Sequence, residues 1–502
     1  TAEGLDDVPL VSVSRAGPLP LSFAQERLWF FDQLEPNSAA YNIPRVLRLN
    51  GPLDTNALRR SLDTIVARHE VLRTSFLNDS GKPALSIAAS TTVETPLFDL
   101  SRLPAQDRDQ ETRELANRET QRSFDLAQAP LLRAGLVRLG EEEHVLLLTM
   151  HHIISDGWSM GVFLRELTSI YNAFMTGEST ALPALAVQYV DFAAWQRQWL
   201  SGALQKQLDY WREELAGAPP VIDLPVDRPR PPVRSFRGAR QSLAISKEIT
   251  DKLKGLARAE RATLFMTLLT AFQLLLSCLT NQDDIVVGSP AAGRNRPELE
   301  ALIGYFVNTL VLRAQLSGDP DFRESLRRSR TVALGAFANQ DVPFEKLVEE
   351  LQPTRTLKVN PLFQVWFAWQ NALVERQEFN GLTVESLTID SATTRHDLQL
   401  TLWETANGLG GAFTYSTDLF EAETIACMAE QFNTLLTIVV EQPGIVLSAL
   451  RAAVNETGRA FRNRTGEQLE EAGRQKLKST RRKVVTGTQA SSKEELWTKS
   501  HR

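Results

Sequence analysis

Two of the six histidines in this 502-residue chain are adjacent, His151 and His152. They stand in the run His151-His152-Ile153-Ile154-Ser155-Asp156-Gly157-Trp158-Ser159. An imidazole has an ordinary pKa of roughly 6.5 and can take or give a proton near neutrality, which is worth about 10²- to 10⁴-fold in rate. Successive side chains on a strand point to opposite faces, so one histidine is expected to look into a cleft and the other into packing. Asp156 is placed to orient a histidine, to bind a helix amide or to pair with an arginine elsewhere. Gly157 lets backbone approach a ligand closely. Metal binding is not indicated, because the two imidazoles project apart and no Cys/His cluster accompanies them.

The elements that must position this run are read from its flanks. Residues 145–150 are an apolar stretch of strand length, and Ser159 is read as the cap of a helix whose apolar positions are Met160, Val162, Phe163, Leu167, Ile170, Tyr171 and Phe174. Upstream, 46–49 and 131–139 read as strands. A helix with Leu58, Leu62, Ile65 and Val66 on one face carries His69 in the same stripe, so His69 is read as packed rather than catalytic. Downstream, 241–245 and 284–288 read as strands, 250–261 as an amphipathic helix, 264–279 as a buried helix, 394–404 and 411–415 as strands and 421–441 as a terminal helix. Arg294, beside Gly293 after the 284–288 strand, is a candidate partner for Asp156. His396 next to Asp397 has the form of a dyad, but no nucleophile accompanies it.

Composition bounds the answer. With 43% hydrophobic and 23% charged residues the chain is an ordinary globular sequence, long enough for two domains. A net charge of -6 gives no basic footprint, so nucleic acid is not expected as a partner. Cys278 and Cys427 are too few for a disulfide framework, which places the chain in a reducing, cytoplasmic compartment by default. The first 18 residues lack the basic and apolar blocks of a signal peptide, and the longest apolar stretch, 264–279, is interrupted by Thr267, Thr270, Gln273 and Ser277, so no membrane association is expected. Six prolines between Pro219 and Pro232 mark a stiff crossing between halves. The expected division is an upstream linker at 1–17, a first lobe at 18–183, the crossing and a second lobe at 184–455, and a basic tail at 456–502. That tail reads as a solvated helix, a connector or a docking segment.

Taken together, these stretches resemble the condensation domain of nonribosomal peptide synthetases. Met150 to Ser159 looks like that family's HHxxxDG signature, which related acyltransferases share in part. Its company is more specific. Ser22 to Phe31 resembles the SxAQxRLW opening, Arg68 to Phe76 the RHExLRTxF motif and Tyr189 to Trp195 the YxDFAxW motif. Ile303 to Thr309 matches IGxFVNT, Gln340 to Glu345 the QDVPFE part of the next motif, and Asn360 to Gln364 NPLFQ. The resemblance covers about residues 16–455. It departs at Asn339, where histidine is usual, and at Leu357 and Lys358, where acidic and serine positions are usual.

The resemblance implies a mixed α/β fold of two chloramphenicol-acetyltransferase-like lobes in a V, with a tunnel between them. It implies an acyltransferase that forms an amide between a donor acyl or peptidyl thioester and the amine of an acceptor aminoacyl thioester, in secondary-metabolite assembly. Both substrates would ride on the phosphopantetheine arms of carrier domains, with adjacent synthetase domains as further partners, no cofactor bound by the domain itself, and a monomeric state. In that scheme His152 positions the amine and takes its proton, His151 supports the loop, and Gly157 leaves an amide near the oxyanion. Asp156 pairs with Arg294, and Trp158, Ser159, Asn308 and Trp403 are candidates for the tunnel wall. Two rivals remain open: an ester-forming acyltransferase with a hydroxyl acceptor, and a noncatalytic platform that recruits a partner enzyme, whose family members tend to lose the signature histidine and glycine.

Overall fold

The computed structural model describes residues 8–180, 182–352, 359–370, 379–387 and 393–485. Leu357, Lys358, residues 1–7 of the upstream linker and the tail beyond 485 lie outside them.

The first half runs α1 (Phe23–Leu34), β1 (Asn42–Asn50), α2 (Thr55–Arg68), the hairpin β2 (Thr74–Asp79) and β3 (Lys82–Ile87), β4 (Leu97–Asp99), α3 (Ala105–Gln121), β5 (Leu132–Arg138), β6 (Glu143–His151), α4 (Gly157–Thr176) and α5 (Tyr189–Glu214). The second half runs β7 (Gly238–Ser246), α6 (Lys247–Ala259), α7 (Leu264–Thr280), β8 (Asp284–Ala291), β9 (Asn308–Gln315), α8 (Phe322–Ala338), α9 (Phe344–Leu351), β10 (Val365–Gln370), β11 (Thr383–Leu387), β12 (Leu398–Thr405), β13 (Gly408–Ser416), α10 (Ala422–Glu441) and α11 (Leu447–Val485).

These elements make two lobes, each a sheet with helices packed on it. The first sheet has the order β11-β1-β6-β5-β4 and the second β7-β13-β12-β10-β8-β9. β6 is central in the first and buried along its length, as a covered strand with a continuous apolar run should be. In the second sheet β10 lies parallel to both neighbours, β8 and β12. The expected α7 is there, capped by Thr263 and buried from Met266 to Cys278. The proline-rich crossing, 216–234, forms neither helix nor strand.

The lobes are interlocked rather than strung in series. β11 leaves the second half and pairs antiparallel with β1, Val46 opposite Leu387. Leu299, Leu302, Ile303, Tyr305 and Phe306, from the loop between β8 and β9, are buried in the first lobe's apolar core with Phe379 and Leu382. Among the described residues no single helix is long and apolar enough to cross a membrane, and α6 with α7 reach that length only jointly, across a 105° bend.

Candidate active site

The histidine pair sits where β6 ends. β6 closes on His151, and His152 opens a short 3-10 turn to Ile154. α4 then starts at Gly157 with Asp156 as its cap, its carboxylate accepting from Ser159 N at 2.8 Å. The cap is therefore Asp156 instead of Ser159: an ionised carboxylate at a helix N-terminus satisfies an open amide and meets the positive end of the helix dipole.

The two imidazoles have different surroundings. His151 is buried, its Nδ1 accepting from Ile153 N at 3.2 Å, its ring edge-on to Phe124 and tilted against Tyr41. Burial, with Arg133 and Arg395 adding to it, pushes its pKa down to about 3. His152 is half-buried, and its Nδ1 lies 2.8 Å from the Ser155 carbonyl, which only a protonated nitrogen can satisfy. Nε2 is thus left as the lone-pair acceptor of the neutral ring. Burial, again with Arg395, pushes this pKa down to about 3 as well, so the ring is neutral at pH 7. Tyr305 stands edge-on to it, ring centroids 4.6 Å apart.

Asp156 does not touch either imidazole. It is fully buried, its second oxygen accepts from Phe306 N at 3.0 Å, and its first lies 3.5 Å from Arg294. Arg294 also donates to the carbonyls of Leu299 and Leu302 and to Ser159 Oγ, and its guanidinium lies 4.0 Å from the Phe306 ring centroid. Ser159 Oγ in turn donates to Gly304 O at 2.7 Å and accepts from Gly304 N at 3.0 Å. A side chain at Gly304 would meet the Tyr189 ring at 1.9 Å, so only glycine allows this approach. The cluster therefore bolts the loop between β8 and β9 to the start of α4, and that bolt puts Tyr305 on His152.

Other motif residues complete the frame. Gln25 in α1 donates to Ile153 O at 3.2 Å, and the Tyr189 hydroxyl bridges Ser22 Oγ at 2.8 Å and Tyr305 O at 2.6 Å. Arg27 pairs with Glu345 of α9 at 3.1 Å, joining the lobes. His69 is packed as expected, 2.8 Å from Glu166 of α4. His396 stacks on Trp366 while Asp397 pairs with Arg230, so they form no dyad.

Gly157 is exposed at the first turn of α4, its N–H has no intrahelical acceptor, and a Cβ there would meet no atom within 4 Å. Protein packing does not require glycine here, and the space in front of it is open. Of the residues expected on the tunnel wall, Trp158 is 45% exposed beside this opening and donates to Glu300 O. The contacts of the other three are these. Ser159 is a fully buried strut, as described. Asn308 spends its amide on the carbonyls of Gln340 and Val342 and its oxygen on Phe344 N. Trp403 is half-buried on β12, against Gly410. Tyr305, the Ser155 carbonyl and Arg395 are the site neighbours that sequence reasoning did not single out. Tyr305 lay inside a quoted motif, whereas nothing local marks Arg395. Among the described residues no group of three or more His, Cys, Asp or Glu side chains is arranged to hold a metal.

This arrangement can accept a hydrogen bond at one neutral imidazole nitrogen in the turn that leads into α4, and among the described residues no nucleophilic side chain bonds to that ring. It suits two external substrates reacting with each other.

Comparison with known proteins agrees in extent. The condensation-domain family matches residues 15–457. The chain is 48% identical over 451 residues to one of the linear gramicidin synthase proteins of Brevibacillus parabrevis, covering 89% of this chain and 6% of that protein. Its fold is similar to that of the X-domain from teicoplanin biosynthesis, with a TM-score of 0.79 at 29% identity over 88% of this chain and 99% of that one. It is also similar to holo-AB3403, a four-domain nonribosomal peptide synthetase, with a TM-score of 0.78 at 25% identity over 87% of this chain and 34% of that one. The two-lobed acyltransferase-like fold expected from the sequence is the fold found.

Proposed function

Because the chain belongs to the condensation-domain family of nonribosomal peptide synthetases, we propose that it joins a donor acyl or peptidyl thioester to the amine of an acceptor aminoacyl thioester, both delivered by carrier domains on phosphopantetheine arms. The chain spans 6% of the length of the gramicidin synthase protein it matches, so the carriers and neighbouring synthetase domains belong to this reading. Residues 18–183 and 184–455 would be its two lobes.

The observation that carries it is the state of His152. Its Nδ1–H is held by the Ser155 carbonyl, which leaves Nε2 as an unprotonated acceptor on the turn that leads into α4. An amine N–H donates to Nε2, which aims the nitrogen lone pair at the donor carbonyl. As the C–N bond forms, negative charge grows on the carbonyl oxygen, where the free Gly157 N–H and the helix dipole oppose it. The C–S bond then breaks, and the amine's proton leaves with the thiolate. An imidazole whose cation is so disfavoured acts chiefly as a hydrogen-bond acceptor, and full protonation requires the neighbouring oxyanion. Holding two tethered reactants in line away from water supplies the rest. His151 supports the turn through Ile153, and Asp156 with Arg294 fixes it.

The platform reading predicts loss of the signature histidine and glycine; His152 and Gly157 are both present. The test is purified protein with a loaded donor carrier and a loaded aminoacyl carrier, following the acceptor's mass. Native protein is expected to lengthen the acceptor, and His152→Ala to slow this by about 10²- to 10⁴-fold without unfolding. Equal product from the variant would remove His152 from the chemistry. No product from several amine acceptors, with product from hydroxyl acceptors, would replace amide by ester formation, and none from either would leave the platform.

A further inference from the structure

Arg395 is the one group near both histidines whose charge the described residues leave uncompensated. It is half-buried, its guanidinium lies 5.4 Å from the centroid of the Tyr41 ring, and no described carboxylate pairs with it. The neighbouring arginines differ: Arg27 has Glu345, Arg133 has Glu119, and Arg230 and Arg234 share Asp397. Its backbone is fixed, the Arg395 carbonyl accepting from Arg234 at 2.7 Å and from Asn360 at 3.0 Å. Tyr41 is the direct link to the site. His152 N–H donates to the Tyr41 carbonyl at 2.8 Å, and the Tyr41 ring leans on His151 with centroids 6.3 Å apart.

The field of Arg395 reaches whatever occupies the space at His152. An acceptor α-amine has an ordinary pKa of about 7.7–8.0 and is mostly protonated at neutrality, while only its neutral form is a nucleophile. A fixed positive charge nearby disfavours a second cation, the device by which amines are activated beside another cationic group. Resting on the amide-forming reading above, we propose that Arg395 is a positioning residue that holds the acceptor amine and His152 uncharged, acting through space from the face of Tyr41.

The remaining charged or titratable groups facing the pair do not supply this. Arg133, from β5, faces His151 and is paired with Glu119. Arg27 of α1 is paired with Glu345 of α9, and Asp156 with Arg294 is sealed behind the turn. Tyr305 carries a phenol that burial keeps neutral. His396 is held neutral by burial and by Arg395 itself, beside Arg234, which is paired with Asp397. The repulsion from Arg395 that lowers His151, His152 and His396 alike accords with the geometry.

The measurement is the pH profile of kcat/KM for the acceptor carrier with native protein, Arg395→Gln and Arg395→Lys. Removing the cation raises the pKa of the amine and of His152, so the acidic limb in Arg395→Gln should move up by about one pH unit. The deficit is then about tenfold below the limb and small above it, and Arg395→Lys keeps the native limb. Independently of turnover, the His152 ring resonance should titrate at higher pH in Arg395→Gln than in native protein. An unmoved limb with an unmoved His152 titration, or an equal loss at every pH that Arg395→Lys does not relieve, overturns the proposal. Native protein forming product in that same assay leaves the amide-forming reading standing.

Discussion

α4 carries two buried carboxylates that serve two histidines in opposite ways. Near its middle, Glu166 binds His69 directly at 2.8 Å and Arg68 at 2.9 Å, and the imidazole is sealed. At its N-terminus, Asp156 touches no histidine; it holds Arg294 and two backbone amides, while a carbonyl alone orients His152. The first looks more like a catalytic dyad and is sealed; the second has one ring nitrogen with no hydrogen-bond partner among the described residues. A histidine becomes available for chemistry when its orienting partner uses one nitrogen and nothing in the protein uses the other.

The comparison is broken most forcefully at Arg294. Arg294→Ala strands a fully buried carboxylate, and denaturant unfolding should show a loss of about 3–5 kcal/mol with activity falling as well, because the loop carrying Tyr305 is released. A variant of native stability and activity would mean that the bolt does not hold the site.

Glu166→Gln tests the other end of α4. It should cost about 1–3 kcal/mol, since it weakens the bonds to both His69 and Arg68 but leaves Arg68 with the Pro183 carbonyl, and turnover per folded molecule should be unchanged. A pH signature separates the two regions. Burial raises the Glu166 pKa, but His69 and Arg68 more than offset this and hold it below the usual range. Its stabilisation is therefore present above the unfolded value of about 4.3 and lost as pH falls through the lower folded value. His151, at about 3 when folded, loses its share over the higher window, as pH falls from roughly 6.5 toward 3. Stability curves against pH should show Glu166→Gln flattening only the lower part; flattening above pH 5 would assign the carboxylate to the wrong region.

The smallest effect on the fold is expected at Gly157. A Cβ there meets nothing and alanine is the better helix former, so Gly157→Ala should change stability by less than about 1 kcal/mol while slowing amide formation at least about tenfold. Full activity in this variant would show that no substrate occupies the open space.

Much of this was legible because it is local. The apolar run before His151 is β6, a helix follows the Asp-Gly step, and the stripe containing Leu58, Leu62, Ile65 and Val66 buries His69. Even Arg294 was marked by its place after a strand. The reading failed where contacts are made across the chain. Ser159 looked like a cap, since serine before an apolar helix usually is one, yet a carboxylate three residues earlier takes that position and frees its hydroxyl for Gly304. The partners of Asn308 and Trp403, backbone carbonyls and a glycine, are likewise supplied by distant residues that no local pattern names. Arg395 has no local pattern, because what marks it is that no carboxylate among the described residues pairs with it, and such a partner could come from any part of the sequence.

β11 bears on how such a domain can be handled. Arg45 of β1 and Ser386 of β11 touch across 341 residues of sequence. During synthesis the first sheet keeps one edge bare until Leu387, the end of β11, has left the ribosome, and a bare edge invites pairing with other chains. Recombination that swaps the first half of this chain for a relative's, with a joint in the proline-rich crossing, would graft a sheet onto a foreign edge strand. A joint that carries 379–387 along with the first half would keep both sides of that seam native.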